Sequence, residues 1–170
     1  FFLSGIDDAL SIDGLDVGTA ESSHDEIVKV AVIERELVIL GTERLEFFQN
    51  TGEADFPFTR VHATELGCLA AGSVAKASTS SRKTLLWVAR DHTVRQLSGY
   101  AADVVSTNEI EKLIKELHEA GNISQLKGFS WSDSGQFFYC LSCDAWSRVL
   151  DLKNGHWHDR KSYNLDRWRV

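Results

Sequence analysis

The chain has no methionine and a single proline, and it lacks the features that mark several classes of protein. Its three cysteines are too few for a disulfide-rich secreted scaffold, and the odd number favours a reducing compartment. Apolar runs are only a few residues long, which argues against a membrane-spanning helix, and no signal peptide is predicted. Lysine and arginine number 18 against 25 acidic residues, so the formal charge is −7. That balance argues against a protein that grips nucleic acid by neutralising phosphates.

The missing methionine includes position 1, where the chain opens on the strand-like Phe1-Phe2-Leu3. At the other end, residues 167–170 resemble a strand that has only begun. We therefore expect residues 1–170 to be a single-domain fragment of a longer chain. With 43% apolar residues, the fragment can bury a sizeable core without disulfides or a structural metal.

What the sequence does contain is a block that recurs three times, an apolar strand followed by a short polar turn and a second strand. The blocks occupy residues 37–48, 85–97 and 137–152, and their starts lie 48 (85 − 37) and 52 (137 − 85) residues apart. A loose repeat of about fifty residues carried by β-hairpins is typical of β-propeller blades. A closed propeller takes about four to eight blades, so three blocks are too few to close one. The predicted fold is therefore mainly β, a β-propeller-like fragment of about three blades.

The segments around these blocks carry weaker signals. Residues 5–25 are polar and rich in Gly, Asp and Ser, which predicts a connecting loop. Residues 27–33 form a β-branched run that predicts a strand, and residues 68–77 have the small side chains expected of a strand near a propeller axis. Asn154-Gly155 is the strongest hairpin signal in the chain, and it predicts a hairpin that joins residues 148–152 with residues 156–160.

Residues 107–120 interrupt the β pattern and predict one inserted amphipathic helix, because apolar residues recur at i, i+3, i+4 and i+7. These apolar residues are Ile110, Leu113, Ile114 and Leu117. Ser106 and Glu109 have the spacing of a capping box, and Gly121 stands where a helix ends. Glu111 and Lys115 have the spacing of an i, i+4 ion pair. Such a helix packs across the sheet edges or is offered to a partner, and we expect packing within the domain.

Two motifs resemble functional sites. Cys140-x2-Cys143 followed by His156-x-His158 resembles a set of zinc ligands. On a strand, however, two cysteines three residues apart point to opposite faces, so we interpret them as ordinary strand cysteines. The turn at residues 132–135 resembles the Asp-box of sialidase-type propellers, but Trp131 stands where that motif has a hydroxyl residue. We interpret it as a hairpin turn, since a glycosidase also needs two opposed carboxylates that this sequence does not identify.

No Gly-rich phosphate loop and no Gly-x-Ser-x-Gly elbow is present. Isolated histidines are interpreted as surface or turn residues, and tryptophans at strand positions as packing between blades. These residues are His24, His62, His92 and His118, and Trp87, Trp131, Trp146 and Trp157. The sequence thus predicts no catalytic, cofactor-binding or metal-binding residue, and it assigns no partner-binding residue.

A series of short motifs occurs in order along most of the chain. They are Phe2-Leu3-Ser4, Asp25-Glu26-Ile27-Val28, Leu40-Gly41-Thr42, Glu46-Phe47-Phe48, Thr51-Gly52, the turn into Cys68, Ile110-Glu111-Lys112-Leu113-Ile114, Gly135-Gln136-Phe137-Phe138-Tyr139-Cys140-Leu141, Val149-Leu150-Asp151-Leu152 and Gly155-His156-Trp157-His158-Asp159-Arg160. In order and spacing the chain resembles the packaged-DNA stabilisation proteins, which form the tail hub of short-tailed bacteriophages and their prophages.

The resemblance implies a subunit of the virion tail, made in the cytoplasm of the bacterial host and assembled as a homo-oligomeric ring below the portal and its adaptor. It implies that the protein closes the channel with a tail needle and retains packaged DNA, with tailspike proteins as further partners. It implies no enzyme activity, cofactor, membrane or small-molecule substrate. It also implies that DNA passes nearby without sequence-specific binding, and the acidic balance agrees with such a conduit.

Two alternatives remain open from the sequence. The hairpin repeat alone also fits a cellular β-propeller that acts as an interaction scaffold. The single degenerate turn at residues 132–135 is the only support for a sialidase-like, carbohydrate-active propeller.

Overall fold

The computed structural model describes residues 2–5, 7–17, 25–53, 56–79 and 83–169. In these residues the chain begins with an antiparallel ribbon of two strands, β1 (Phe2–Gly5) and β2 (Asp8–Val17). The predicted loop at residues 5–25 is therefore wrong over β2. The prediction failed because the apolar side chains of Leu10 and Ile12 are exposed and do not mark a buried face.

Three four-stranded antiparallel sheets follow, and each has its strands in sequence order. Blade 1 contains β3 (Ile27–Ile33), β4 (Glu36–Gly41), β5 (Leu45–Asn50) and β6 (Phe58–Thr64). Blade 2 contains β7 (Ala75–Ser78), β8 (Lys83–Val88), β9 (Val94–Ser98) and β10 (Ala101–Val104). Blade 3 contains β11 (Lys127–Asp133), β12 (Gln136–Ser142), β13 (Ser147–Asp151) and β14 (His156–Asp159).

The first strands of successive blades start 48 (75 − 27) and 52 (127 − 75) residues apart, as do the sequence blocks. The blocks are the central hairpins β4–β5, β8–β9 and β12–β13. The prediction of a mainly β, propeller-like fold of about three blades with one inserted helix is confirmed.

Strand β8 explains how the blades pack, because its side chains alternate between two neighbours. Leu85 and Trp87 join a buried cluster with Phe47 of blade 1. Leu86 and Val88 point the other way, into a cluster shared with blade 3. A central strand buried on both faces reads as a continuous apolar run, which is why these hairpins were visible in the sequence.

The strand predicted over residues 68–77 is correct only for β7. Residues Ala71–Ser73 form a 3-10 turn instead. The hydroxyl of Ser73 donates to the carbonyl of Ala70 at 2.7 Å and accepts the amide of Val88 at 2.9 Å. A serine that bonds the local backbone in this way competes with strand pairing.

The inserted helix α1 (Asn108–Glu119) lies between blades 2 and 3, as predicted, and buries Ile110 and Ile114. Its C-terminus has the paired bonds of a Schellman motif, since Gly121 (φ +72°) donates to His118 and Asn122 donates to Leu117. At the N-terminus of the helix, the predicted capping box is wrong.

Thr107, and not Ser106, is the N-cap residue, and its side chain makes no capping bond. The Ser106 hydroxyl donates to Glu111 instead, at 2.7 Å. The predicted pairing of Glu111 with Lys115 is replaced by this bond and by an ion pair of Lys115 with Glu119.

The strand expected at residues 167–170 is not present in the described residues 167–169. The amide of Trp168 donates to the Ser147 hydroxyl of blade 3 at 2.9 Å. Side-chain packing on blade 3 thus takes the place of strand pairing there.

Candidate interaction surfaces

The junction between blades 2 and 3 is held by α1 and by polar contacts at its edges. Glu109, in the first turn of the helix, accepts from Arg148 of blade 3 at 3.4 Å. The indole of Trp157 donates to the carbonyl of Val105, just before the helix, at 2.7 Å. Deeper in the junction, the buried hydroxyl of Tyr139 donates to the carbonyl of Ser73 at 2.7 Å. The helix therefore bridges two blades.

At its other end the helix meets blade 2 through two histidines. Nε2 of His92, in the β8–β9 turn, lies 2.9 Å from Nδ1 of His118. The turn is ordered by Asp91, whose carboxylate accepts from Thr93 and from Arg95. Burial opposes ionisation of Asp91, but these bonds outweigh it and lower the pKa of that carboxyl. Sequence reasoning treated both histidines as isolated, because no local pattern links residues 26 apart.

A groove of about 520 Å³ lies between blades 1 and 2. On its wall, one carboxylate oxygen of Glu36 accepts from Gln49 at 2.7 Å and from the Tyr100 hydroxyl at 2.6 Å. The bond to Glu36 raises the pKa of Tyr100. The Tyr100 ring stacks on His62, with 4.7 Å between ring centroids, and meets Phe47 edge-on. His62 is exposed, as predicted, and stacks on Tyr100 beside this groove.

Blade 3 carries a second surface, on its face away from blade 2, that we call the aromatic patch. Its members are Phe129, Trp131, Phe138, Trp168 and Arg160. Phe129 and Trp131 lie two apart on β11 and so share a face, and Trp131 is paired across the ladder with Phe138. The Arg160 guanidinium lies 4.5 Å from the ring centre of Trp168, a cation–π contact.

Aromatic residues and arginine are enriched where proteins meet other surfaces, and all four rings of the aromatic patch are only partly buried. Sequence reasoning had assigned Trp131 to packing between blades, and no motif distinguished it from the buried Trp87. The patch is the most prominent candidate contact surface in the described part of the chain.

The geometry does not support a zinc site formed by the Cys140-x2-Cys143 and His156-x-His158 motifs. Cys140 pairs with Val149, which pairs with His158, so the cysteine and histidine stand two strands, roughly 10 Å, apart. Cys143 points into the cluster between blades 2 and 3. Burial raises the pKa of Cys140 to about 12, which disfavours the thiolate that zinc needs. No group of three or more metal-ligating side chains occurs among the described residues.

Residues 132–135 lie at the β11–β12 hairpin, as predicted. Ser134 and Gly135 both have positive φ, +50° and +77°, the conformation of a tight two-residue hairpin turn. The remaining tryptophans pack between or within blades, with Trp87 and Trp146 buried and Trp157 partly so. His24 falls outside the described residues.

No helix in the described part of the chain is long and apolar enough to cross a membrane. A family model for phage stabilisation proteins, described as bacteriophage P22 Gp10, beta-propeller, matches residues 1–140. The match includes the N-terminal ribbon, blades 1 and 2, the inserted helix and the first strand of blade 3. No curated protein matches the chain.

Proposed function

The chain belongs to the family of phage packaged-DNA stabilisation proteins, and on that basis we propose that it is a tail-hub protein that closes the DNA channel below the portal. Members are structural components of the phage virion and associate with other virion components. The proposal adds a homo-oligomeric ring beneath the portal and adaptor, contacts with a tail needle and tailspikes, and no enzymatic activity. Synthesis in the host cytoplasm and assembly into the tail are parts of the same proposal.

The observation that carries this proposal is the family match over residues 1–140, which coincides with successive propeller blades. A member that lies at a DNA channel has to resist deformation without binding the DNA that leaves through it. The net charge of −7 agrees with such a surface, since it repels phosphates. The bridge made by α1 between blades 2 and 3 agrees with a subunit that keeps its shape under load.

We further propose that the described blades are part of a larger propeller. Two faces support this idea. Val30 and Val32 of β3 are 47% and 48% exposed on the face of blade 1 away from blade 2. The aromatic patch lies on the opposite end of the array, on blade 3. Both faces resemble the buried junctions between blades in residue type, so further blades or neighbouring subunits are expected to pack on them.

The experiment is size exclusion with light scattering on the full-length protein, alone and mixed with portal–adaptor particles of the same phage. Co-elution in a fixed ratio supports a hub below the portal. In parallel, particles assembled without the protein should lose DNA, and adding it back should restore retention. The proposal would be contradicted if the protein is monomeric and does not bind these particles, and if particles that lack the protein retain DNA normally. That outcome would favour a role elsewhere in the virion.

A matched pair of variants sharpens the test. Trp131→Ala removes the centre of the aromatic patch, whereas Lys112→Ala removes a solvent-exposed charge on the helix. If the patch contacts a neighbour, the first variant weakens co-elution and the second does not. Equal behaviour of the two variants would show that this contact lies on another surface.

A further inference from the structure

We propose that His92 and His118 form a binding site for a late first-row divalent metal ion such as Zn²⁺, Ni²⁺ or Cu²⁺. Their facing nitrogens, Nε2 of His92 and Nδ1 of His118, are 2.9 Å apart. Imidazole nitrogen is the side-chain ligand that these ions share. Two such nitrogens bound side by side to one ion, each at about 2.0 Å, stand roughly 2.8 to 3.3 Å apart, so the observed separation suits both to the same ion.

The β8–β9 turn holds one of the two ligands in place. His92 has φ +66°, in the left-handed region that few residues other than glycine adopt. Asp91 orders the turn through bonds from the Thr93 amide at 3.1 Å and from Arg95 at 2.6 Å. The ordered turn therefore holds the backbone of His92 beside the end of the helix, which lowers the entropy lost when an ion binds.

The second ligand is free to adjust. His118 lies in the last turn of α1 and is exposed to solvent. The ring centroids are 5.1 Å apart with a 47° angle between the ring planes, so the rings meet nearly end to end. One ring donates its N–H to the facing nitrogen of the other. Coordination requires both facing nitrogens to be unprotonated. The donor ring then carries its proton on its other nitrogen. Because the two facing nitrogens point at each other along one line, the exposed His118 ring must also swing off that line before both lone pairs meet at one ion.

The chemistry of the surroundings sets the expected strength. Because no group of three or more ligating side chains occurs among the described residues, water completes the coordination shell. The carboxylates next to the two histidines in sequence are in ion pairs, Asp91 with Arg95 and Glu119 with Lys115. We therefore expect exchangeable binding in which Cu²⁺ is held most tightly, following the general order for nitrogen sites. The ion would tie blade 2 to the inserted helix.

The test uses a background in which His156 and His158 are both glutamine, because two exposed histidines two apart on β14 can also chelate an ion. Zn²⁺ affinity is measured by competition with a chromophoric chelator, and Cu²⁺ ligands are counted by electron paramagnetic resonance. We expect one ion per chain and two nitrogen ligands. His92→Asn, which tolerates the left-handed backbone, and His118→Gln should each weaken binding at least tenfold.

His62→Asn serves as the matched control, since His62 stacks on Tyr100 away from this pair and its removal should leave the affinity unchanged. Zn²⁺ should also raise the melting temperature of the background protein, while Mg²⁺ should not. If both pair variants bind within twofold of the background, or if copper has fewer than two nitrogen ligands there, the proposal is wrong. The copper spectrum needs no variant of the pair, so it decides the question even if His92→Asn misfolds.

Discussion

Gly128 of β11 provides the sharpest test of how blades 2 and 3 fit together. A β-carbon at this position would lie 2.2 Å from the carbonyl oxygen of Ser73 and 2.9 Å from the hydroxyl oxygen of Tyr139. These are the two atoms of the buried hydrogen bond across the junction. A backbone carbonyl cannot swing aside as a flexible side chain can, so Gly128→Ala must push β11 away from blade 2.

The cost has two parts. Overpacking that shifts the backbone costs about 1–3 kcal/mol. Breaking the bond between Tyr139 and Ser73, with both groups still buried, costs about 1–3 kcal/mol more. The free energy of unfolding should therefore fall by roughly 2–6 kcal/mol. At about 2–4 °C per kcal/mol for a chain of this size, the melting temperature should fall by roughly 4–24 °C.

Thermal and urea unfolding followed by far-UV circular dichroism measure this effect. The matched control is Gly14→Ala in β2, where no atom lies within 4 Å of the added carbon. That variant should change stability by less than about 1 kcal/mol. A Gly128→Ala protein that melts within about 2 °C of the Gly14→Ala protein would refute the close approach of β11 to blade 2.

Three further predictions concern other parts of the molecule. Gly121→Ala places a β-carbon at φ +72° and should cost about 1 kcal/mol, with a smaller loss for Gly121→Asn, read from melting curves. Trp168→Ala opens the aromatic patch and should cost about 1–3 kcal/mol in urea unfolding and shift the fluorescence of Trp131 to the red, whereas an unchanged spectrum would contradict the contact. Burial raises the pKa of Cys68 and of Cys140 to about 12, so the unfolded chain loses these protons from about pH 9 upward while the folded chain keeps them. Below pH 9 these thiols should not affect the free energy of unfolding. Between pH 9 and 12 the free energy of unfolding should fall by up to about 1.4 kcal/mol per pH unit for each thiol. Urea titrations of Cys→Ala variants and of the parent protein would measure this fall.

The central hairpins and the helix could be predicted because their signals are local. The middle strands are covered on both faces and are therefore continuously apolar, as in residues 85–88, while the helix shows its 3.6-residue period. The outer strands β6 and β10 are mostly exposed, so they lack an apolar alternation and were missed. Strand β14 is equally exposed but was found, because the Asn154-Gly155 turn marks it independently.

The candidate surfaces were not predictable in the same way. The two histidines meet across 26 residues of sequence, and the stack of Tyr100 on His62 joins different blades. The capping box failed because Ser106 has a competing partner in Glu111 and also accepts the Val94 amide. The first two contacts depend on how the blades are arranged in space, which no local pattern encodes, whereas the partners of Ser106 lie only five and twelve residues away.

The two junctions between blades are stabilised in different ways, and this difference has mechanical consequences. Blades 1 and 2 share an apolar cluster around Phe47 and Trp87, with polar contacts such as Tyr100 to Glu36 at an exposed rim. A buried backbone bond, from the amide of Cys68 to the carbonyl of Gly41 at 2.8 Å, also lies at this junction. Blades 2 and 3 add a buried directional bond from Tyr139 and the bridging helix. Apolar contacts tolerate small sliding movements, whereas a buried hydrogen bond loses its energy when its partners separate. Both junctions have such a bond, so the bridging helix is the main difference between them. Any flexing of the described array should therefore be larger between blades 1 and 2 than between blades 2 and 3.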